Sequence, residues 1–221
     1  MKRTLFKTAD GSYTLHLPEW DEQYHSKHGA IAEALHVFIM EGFQYWFSEN
    51  EATSVAILEI GFGTGLNAFL TFLETGKQGY NVHYTGVEAY PLALAEIKKL
   101  NYTSHLNASE EIFLQMHRCP WGEPWGIAEN FQLTKQRKFF SEISDENRFD
   151  LIYFDAFGIR VQPELWTEAI FQKMFAALTP GGMLVTYAAN GYARRALQAV
   201  GFKVERLPGP PGKKEMLRGT K

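Results

Sequence analysis

From Val55 onward, short apolar runs alternate with amphipathic stretches. VAILEI (55–60) is a continuous apolar run ended by glycines, which predicts a strand buried on both faces. A helical stretch follows at 66–74, then a strand in NVHYTGVE (81–88). PLALAEIKKL (91–100) reads as a helix opened by Pro91 in its first turn, where the missing N–H costs nothing. FDLIYFDAF (149–157) and GMLVTYAA (182–189) predict two further strands, with a helix near 164–178 between them. FKVERL (202–207) and KKEMLRG (213–219), separated by PGPPG, predict an antiparallel pair at the sheet edge. Strands alternating with helices of this length predict an α/β fold, a doubly wound and mostly parallel sheet covered on both faces.

The first fifty residues follow another pattern. Apolar positions on either side of Asp10-Gly11 predict a hairpin within 1–17. In 30–47, Ile31, Leu35, Phe38, Ile39 and Gly42 fall on one helical face. The expected division is a small N-terminal extension, 1–50, packed on a core domain, 51–221. HRCPWGEPWGIAEN (117–130), with two Pro and two Trp among glycines, predicts a structured loop; exposed Trp there would suit a substrate lid, and packing Trp is the default.

Composition narrows the function. The chain has 221 residues, 45% of them hydrophobic and 21% charged, which excludes disordered and fibrous classes. One cysteine, Cys119, excludes a disulfide framework, and no group activates it. No apolar run approaches membrane-spanning length and MKRTLFKTADGS lacks an apolar signal core, so a soluble, cytoplasmic protein is expected. His25, His28 and His36 form no metal-binding motif, and no metal is expected. The net charge of −3 is unevenly spread: residues 190–221 carry +6 and the remainder −9, which suggests one anion-docking end on an acidic body.

The most informative run is Glu59-Ile-Gly61-Phe62-Gly63-Thr-Gly65-Leu66-Asn67, directly after the first parallel strand. Glycines there let the backbone turn sharply and approach a ligand that a Cβ would block. A phosphate-cradling NTPase loop would need Gly-Lys-Ser/Thr where Gly65-Leu66-Asn67 stands. A dinucleotide fingerprint wants a small residue where Leu66 stands. The S-adenosylmethionine turn, E/D-x-G-x-G-x-G, matches at Glu59, Gly61, Gly63 and Gly65. Glu88, ending the next strand, is placed to accept both ribose hydroxyls of a nucleoside cofactor. The structural alternative is a tight turn followed by a strand-capping Glu.

At the carboxyl end of the later strand, Asp155 is expected to project into the crevice below Gly61–Gly65. Methyl transfer needs a lone pair on its acceptor, which an alkylammonium lacks. A carboxylate near the donor can orient the amine and take its proton. The alternative for Asp155 is a loop or helix cap.

These segments resemble the MnmC/MnmD-like tRNA 5-methylaminomethyl-2-thiouridine methyltransferase family. The resemblance rests on YHSKHG (24–29) with Glu33, LEIGFGTGLNAFLT (58–71), VEAYPL (87–92), FDAFGIRVQPELWTEAIF (154–171) and the run from Thr186 to Gly219. It implies a Rossmann-like methyltransferase that uses S-adenosyl-L-methionine to methylate the 5-aminomethyl group of the wobble uridine in the tRNA anticodon. Residue by residue, it implies that Gly61, Phe62, Gly63, Gly65 and Asn67 line the cofactor and Glu88 holds its ribose. Asp155 matches the catalytic aspartate, and Tyr24, Ser26 and Glu33 match a stretch that closes the cofactor site. Two departures stand out: Gly158-Ile159-Arg160 replaces a frequent Ala-Pro, and Lys135 stands where an adenine-binding acid is common. The flavin-dependent half of the bifunctional enzymes has no room in this chain, so a separate oxidoreductase is an expected partner.

On this reading Arg194, Arg195, Lys213 and Lys214 neutralise tRNA phosphates. Phe157, Trp166 and Tyr187 are candidates to hold a flipped base, with core packing as the alternative for each. The rivals are an aminopropyltransferase, which predicts an acidic polyamine pocket, a small-molecule amine methyltransferase, and a cofactor-binding module without catalysis.

Overall fold

The computed structural model describes residues 2–221. β1 (Thr4–Lys7), β2 (Tyr13–Leu17) and β3 (Glu22–Gln23) form a small antiparallel sheet. The β1–β2 hairpin turns at Asp10-Gly11 as predicted. The Asp10 carboxylate accepts the N–H of Ser12 and of Ala32, each at 3.0 Å, and so ties the hairpin to the helix that follows.

That helix is continuous over 30–49 and comprises α1 (Ala30–Ala34), a π-helical segment (Leu35–Gln44) and α2 (Tyr45–Glu49). The wider π turn explains a misplaced residue: Leu35, expected on the buried face, is 37% exposed, while Val37, Phe38 and Phe43 are buried. A Cβ on Gly42 would stand 3.1 Å from Val185 and 3.2 Å from Tyr153, so the helix lies directly on the main sheet. It shares one apolar core with that sheet, where Leu15, Phe38, Ile57 and Phe69 meet.

The rest of the chain runs β4 (Ser54–Ile60), α3 (Leu66–Gln78), β5 (Asn81–Val87), α4 (Leu94–Ile97), α5 (Tyr102–His105), α6 (Glu110–Arg118), β6 (Pro124–Ala128), β7 (Phe131–Gln136), β8 (Phe149–Phe154), α7 (Glu168–Ala177), β9 (Leu178–Thr186), α8 (Gly191–Ala199), β10 (Lys203–Pro208) and β11 (Glu215–Thr220). The eight strands lie in the order β10-β11-β9-β8-β4-β5-β7-β6. β9, β8, β4, β5 and β7 are mutually parallel; β6, β11 and β10 run antiparallel to their neighbours. Side chains alternate along β4, Ile57 entering one core and Leu58 the other, as expected of a sheet covered on both faces. The chain winds outward from β4 through β5 and β7, then returns to β8 on the other side, so a crevice opens at the carboxyl ends of β4 and β8.

Two expectations need correction. The helix expected over 91–100 is a single turn, Leu94–Ile97: Ala93 is extended, and Glu96 accepts its N–H at 2.9 Å as an N-terminal cap, so the helix begins three residues later than Pro91. The 117–130 segment is not all loop: Pro124–Ala128 forms the outer strand β6, with proline tolerated at the first residue of an edge. Trp125 there is 43% exposed but lies outside the crevice, so it is no lid over it. Among the described residues, no helix is long and apolar enough to cross a membrane, and no group of three His, Cys, Asp or Glu is arranged to hold a metal.

Candidate active site

The crevice is a cavity of about 1150 Å³, floored by the carboxyl ends of the central strands and walled by the N-terminal strands and the β10–β11 loop. Its floor is the glycine turn. Gly61, Gly63 and Gly65 all have positive φ (91°, 45° and 71°), and Gly65 starts α3 in the left-handed region that side chains avoid. Beneath the turn, His117 packs so closely that a Cβ on Gly65 would lie 2.8 Å from its Nε2. That nitrogen faces the Thr64 carbonyl at 3.1 Å. Burial pulls His117 down to about 3 and His25 to about 4, so both rings are neutral near pH 7.

Asn67, in the first turn of α3, joins two acids. Its Nδ2 donates to Glu59 Oε1 and to Asp155 Oδ2, each at 2.9 Å. Asn67 Oδ1 is buried without a protein partner. Burial and the charge of Glu33 push Asp155 up to about 7, against the opposing effects of the Asn67 bond and Lys213. Burial, reinforced by Asp155, holds Glu59 well above the usual carboxylate range. A carboxyl group poised near neutrality in a cleft suits proton transfer.

Glu88 braces the turn. It accepts the Gly63 N–H at 3.1 Å through one oxygen and the Tyr90 N–H at 2.9 Å through the other. Each oxygen keeps acceptor capacity toward the cavity. Tyr24 lies against Gly63 and accepts from Arg3 at 3.1 Å; Arg3 also pairs with Glu96 at 3.3 Å. Glu33 is buried, accepts the Ser26 N–H at 3.1 Å and forms an ion pair with Lys213.

The residues expected to bind substrate separate. Phe157 lines the cavity, edge-on to Trp20 and Tyr24 with centroids 5.8 and 5.0 Å away. Trp166 is fully buried in the second core and cannot stack on a base; its Nε1 donates to the Phe157 carbonyl at 2.8 Å and so fixes that loop. Tyr187 lines the cavity and donates to the Ala156 carbonyl at 2.8 Å. Lys213 is engaged inside, with Glu33 and 3.7 Å above the Tyr187 ring, and is therefore not a free phosphate contact. Lys214 is exposed on a shallow surface beside Arg160 and Asn190. Arg194 and Arg195 sit on α8 outside the cavity lining.

Known proteins are similar to this chain in sequence and fold. A family described as S-adenosyl-L-methionine-dependent methyltransferase matches residues 130–221. A Leptospira interrogans protein named tRNA 5-methylaminomethyl-2-thiouridine biosynthesis bifunctional protein MnmC is 30% identical over 217 residues, covering 91% of this chain and 33% of the relative. The protein of that name from Actinobacillus pleuropneumoniae is 30% identical over 227 residues, covering 92% and 33%. The chain thus spans about a third of the length of these relatives. The crystal structure of MNMC2 from Aquifex aeolicus superposes with a TM-score of 0.75 at 25% identity, covering 99% of this chain and 70% of that one. Over about nine-tenths of its length the chain is thus similar to about a third of each MnmC protein, and over 99% of its length to MNMC2. A spermidine synthase from Thermotoga maritima shares the fold, with a TM-score of 0.54 at 15% identity, over 100% of this chain and 72% of that one.

In this MnmC-like chain the family-matched part carries Asp155, Tyr187 and Lys213, whereas Glu33, the glycine turn and Glu88 precede it. Sequence reasoning missed Arg3, Trp20, Tyr90 and Phe139, which also line the cavity. Tyr90 and Phe139 meet edge to face at 5.9 Å, though both are exposed. The available signal was weak: Trp20 lies two residues after Pro18 in a turn, and Tyr90 two residues after Glu88.

Proposed function

We propose that this chain transfers a methyl group from S-adenosyl-L-methionine to the 5-aminomethyl group of the wobble uridine in tRNA. The observation that carries the reading is Asp155, held by Asn67 at the carboxyl end of β8 beside the glycine cradle. The cradle and the unpartnered Asn67 Oδ1 fit a nucleoside-bearing ligand. Gly61, Phe62, Gly63 and Gly65 would line it, Glu88 would hold its ribose, and Glu59, Asn67, Tyr24, Ser26 and Glu33 would close around it. When bound, S-adenosyl-L-methionine supplies a sulfonium methyl whose C–S bond breaks as the new N–C bond forms.

Asp155 orients the acceptor nitrogen and takes its proton on a carboxylate oxygen. Protonation near neutral pH then lets Asp155 release that proton to water. Phe157, edge-on to Trp20 and Tyr24, offers an apolar wall for a flipped base. Lys214, Arg194 and Arg195 supply positive charge near the mouth for the tRNA backbone. The enzyme would act in the cytoplasm on tRNA aminomethylated by other enzymes, with an oxidoreductase as the partner activity.

The cavity favours one rival more than the sequence suggested. Glu22, Glu33, Glu59, Glu88 and Asp155 all line it, which would suit a polyamine. Two of these acids are already in ion pairs, Glu22 with Arg160 and Glu33 with Lys213. The test is transfer of labelled methyl from S-adenosyl-L-methionine to tRNA bearing 5-aminomethyluridine, alongside unmodified tRNA, polyamines and the Asp155→Asn variant. Label confined to the aminomethylated tRNA and lost in the variant supports the proposal. Label on polyamines alone, or none with the cofactor bound, refutes it.

A further inference from the structure

Lys213 comes from the β10–β11 loop, far in sequence from the acids it meets. Its ammonium pairs with the buried Glu33 of α1 and lies 3.7 Å from the centre of the Tyr187 ring, lining the same cavity as Asp155. The loop is held there by more than this ion pair. His36 Nε2 contacts the Pro208 carbonyl at 2.8 Å, and Gly212 packs directly on the His28 ring. The cation is therefore placed by the fold and not by chance contact of a long surface side chain.

The groups around Asp155 are mostly acids. β4 contributes Glu59, α3 contributes Asn67, α1 contributes Glu33, and the segment after β5 contributes Glu88. The turn into β3 adds Asp21, β3 and the residues after it add Glu22 (paired with Arg160), Tyr24 and His25, whose ring is neutral, the segment before α7 adds Glu164, and β9 ends next to Tyr187. The β1 side adds Arg3, which is spent on Tyr24 and Glu96. Lys27 and His28 also line the cavity but are exposed.

We propose that Lys213 is a positioning residue for methyl transfer: through its ion pair with Glu33 it neutralises a buried acid of the Asp155 cavity and keeps Asp155 a carboxylate able to receive the acceptor's proton. Without that cation, Glu33 and Asp155 would share the cavity as like charges, and one of them would bind a proton. The inference rests on the reading of Asp155 as the group that meets the amine, but its direct test needs no substrate.

The experiment is titration of the Asp155 side-chain carboxyl by carbon NMR in protein labelled at aspartate, with the signal assigned from Asp155→Asn. Wild type is compared with Lys213→Met, Lys213→Arg, Glu33→Gln and the Glu33→Gln/Lys213→Met double variant, each checked for an intact fold by its amide spectrum. Lys213→Met should raise the Asp155 midpoint by about one unit, Lys213→Arg should leave it near wild type, and Glu33→Gln should lower it. The double variant should fall back below Lys213→Met, and the acidic limb of kcat/KM should move in the same order. An unmoved midpoint in folded Lys213→Met, or shifts of one sign in all variants, would overturn the proposal. Absence of methyl transfer by wild type with these midpoints intact would instead count against the assigned reaction.

Discussion

A Cβ placed on Gly61 would stand 2.7 Å from the carbonyl oxygen of Asp155. The floor of the cavity and the proposed catalytic loop are thus in backbone contact across the junction of β4 and β8. Gly61→Ala would have to displace that backbone and also hold φ near 91°. The expected cost is about 1–3 kcal/mol of stability, read by denaturant unfolding, with a parallel loss of S-adenosyl-L-methionine affinity by calorimetry. Unchanged affinity would show that the turn tolerates a shift away from Asp155.

Asn67→Ala removes the one amide that bonds both Glu59 and Asp155. Leaving buried acceptors unmatched should cost about 1–3 kcal/mol. Because the Asn67 bond opposes the upward shift of Asp155, the acidic limb of kcat/KM should also move to higher pH. An altered stability with an unmoved limb would separate the packing role of Asn67 from its electrostatic one.

Much of this architecture was legible in the sequence. Four of the five parallel strands, β4, β5, β8 and β9, were visible in the apolar pattern, whereas β7 (FQLTKQ) has too few apolar residues to show; the FKVERL/KKEMLRG pair formed the antiparallel sheet edge as expected. Failures came where local pattern was outvoted. Leu35 is exposed because a π segment changes the helical period, and 91–100 shortens because the helix starts only after the extended Ala93, whose N–H Glu96 caps. Trp166 and Lys213 were each identified by type as substrate contacts, yet burial of one and an ion pair with the other depend on residues distant in the chain. Composition showed a basic end but could not show that one of its lysines turns inward.

The proposed catalytic acid should weaken the fold at neutral pH. An ordinary aspartate titrates near 3.8, whereas Asp155 in the folded chain is raised to about 7. The folded state therefore holds this proton more tightly, and the stabilisation present below pH 3.8 is lost as pH rises toward 7. Each unit of difference corresponds to about 1.4 kcal/mol as an upper bound in a partly open cavity. Asp155→Asn should be inactive but more stable than wild type at pH 8, with the advantage shrinking toward pH 4. Chemical denaturation across that range checks the sign; greater stability of wild type at pH 8 would contradict it.

Trp166→Phe keeps an aromatic ring in the core and removes the N–H that holds the Phe157 carbonyl. The expected stability loss is modest, about 0.5–1.5 kcal/mol. KM for tRNA should rise while cofactor affinity stays within error if Phe157 walls the flipped base as proposed. Equal loss of both affinities would show that the loop serves the whole cavity.

Removal of positive charge outside the cavity offers a separate check. Lys214→Gln and Arg195→Gln should each weaken tRNA binding and reduce the slope of log affinity against log salt by about 1. Binding of S-adenosyl-L-methionine should be unaffected in both. Identical salt slopes in wild type and variants would place the tRNA backbone elsewhere on the surface.

The Glu33–Lys213 pair joins the helix after the first hairpin to the loop between the last two strands. During synthesis, the glycine turn and Asp155 leave the ribosome well before Lys213 does. A nascent chain with its sheet half built would carry an acid-lined cleft lacking its inner cation and one wall. Competence for the proposed methyl transfer is therefore a late event in the birth of this molecule, reached only when β11 slots between β9 and β10 and draws the loop down over the cleft.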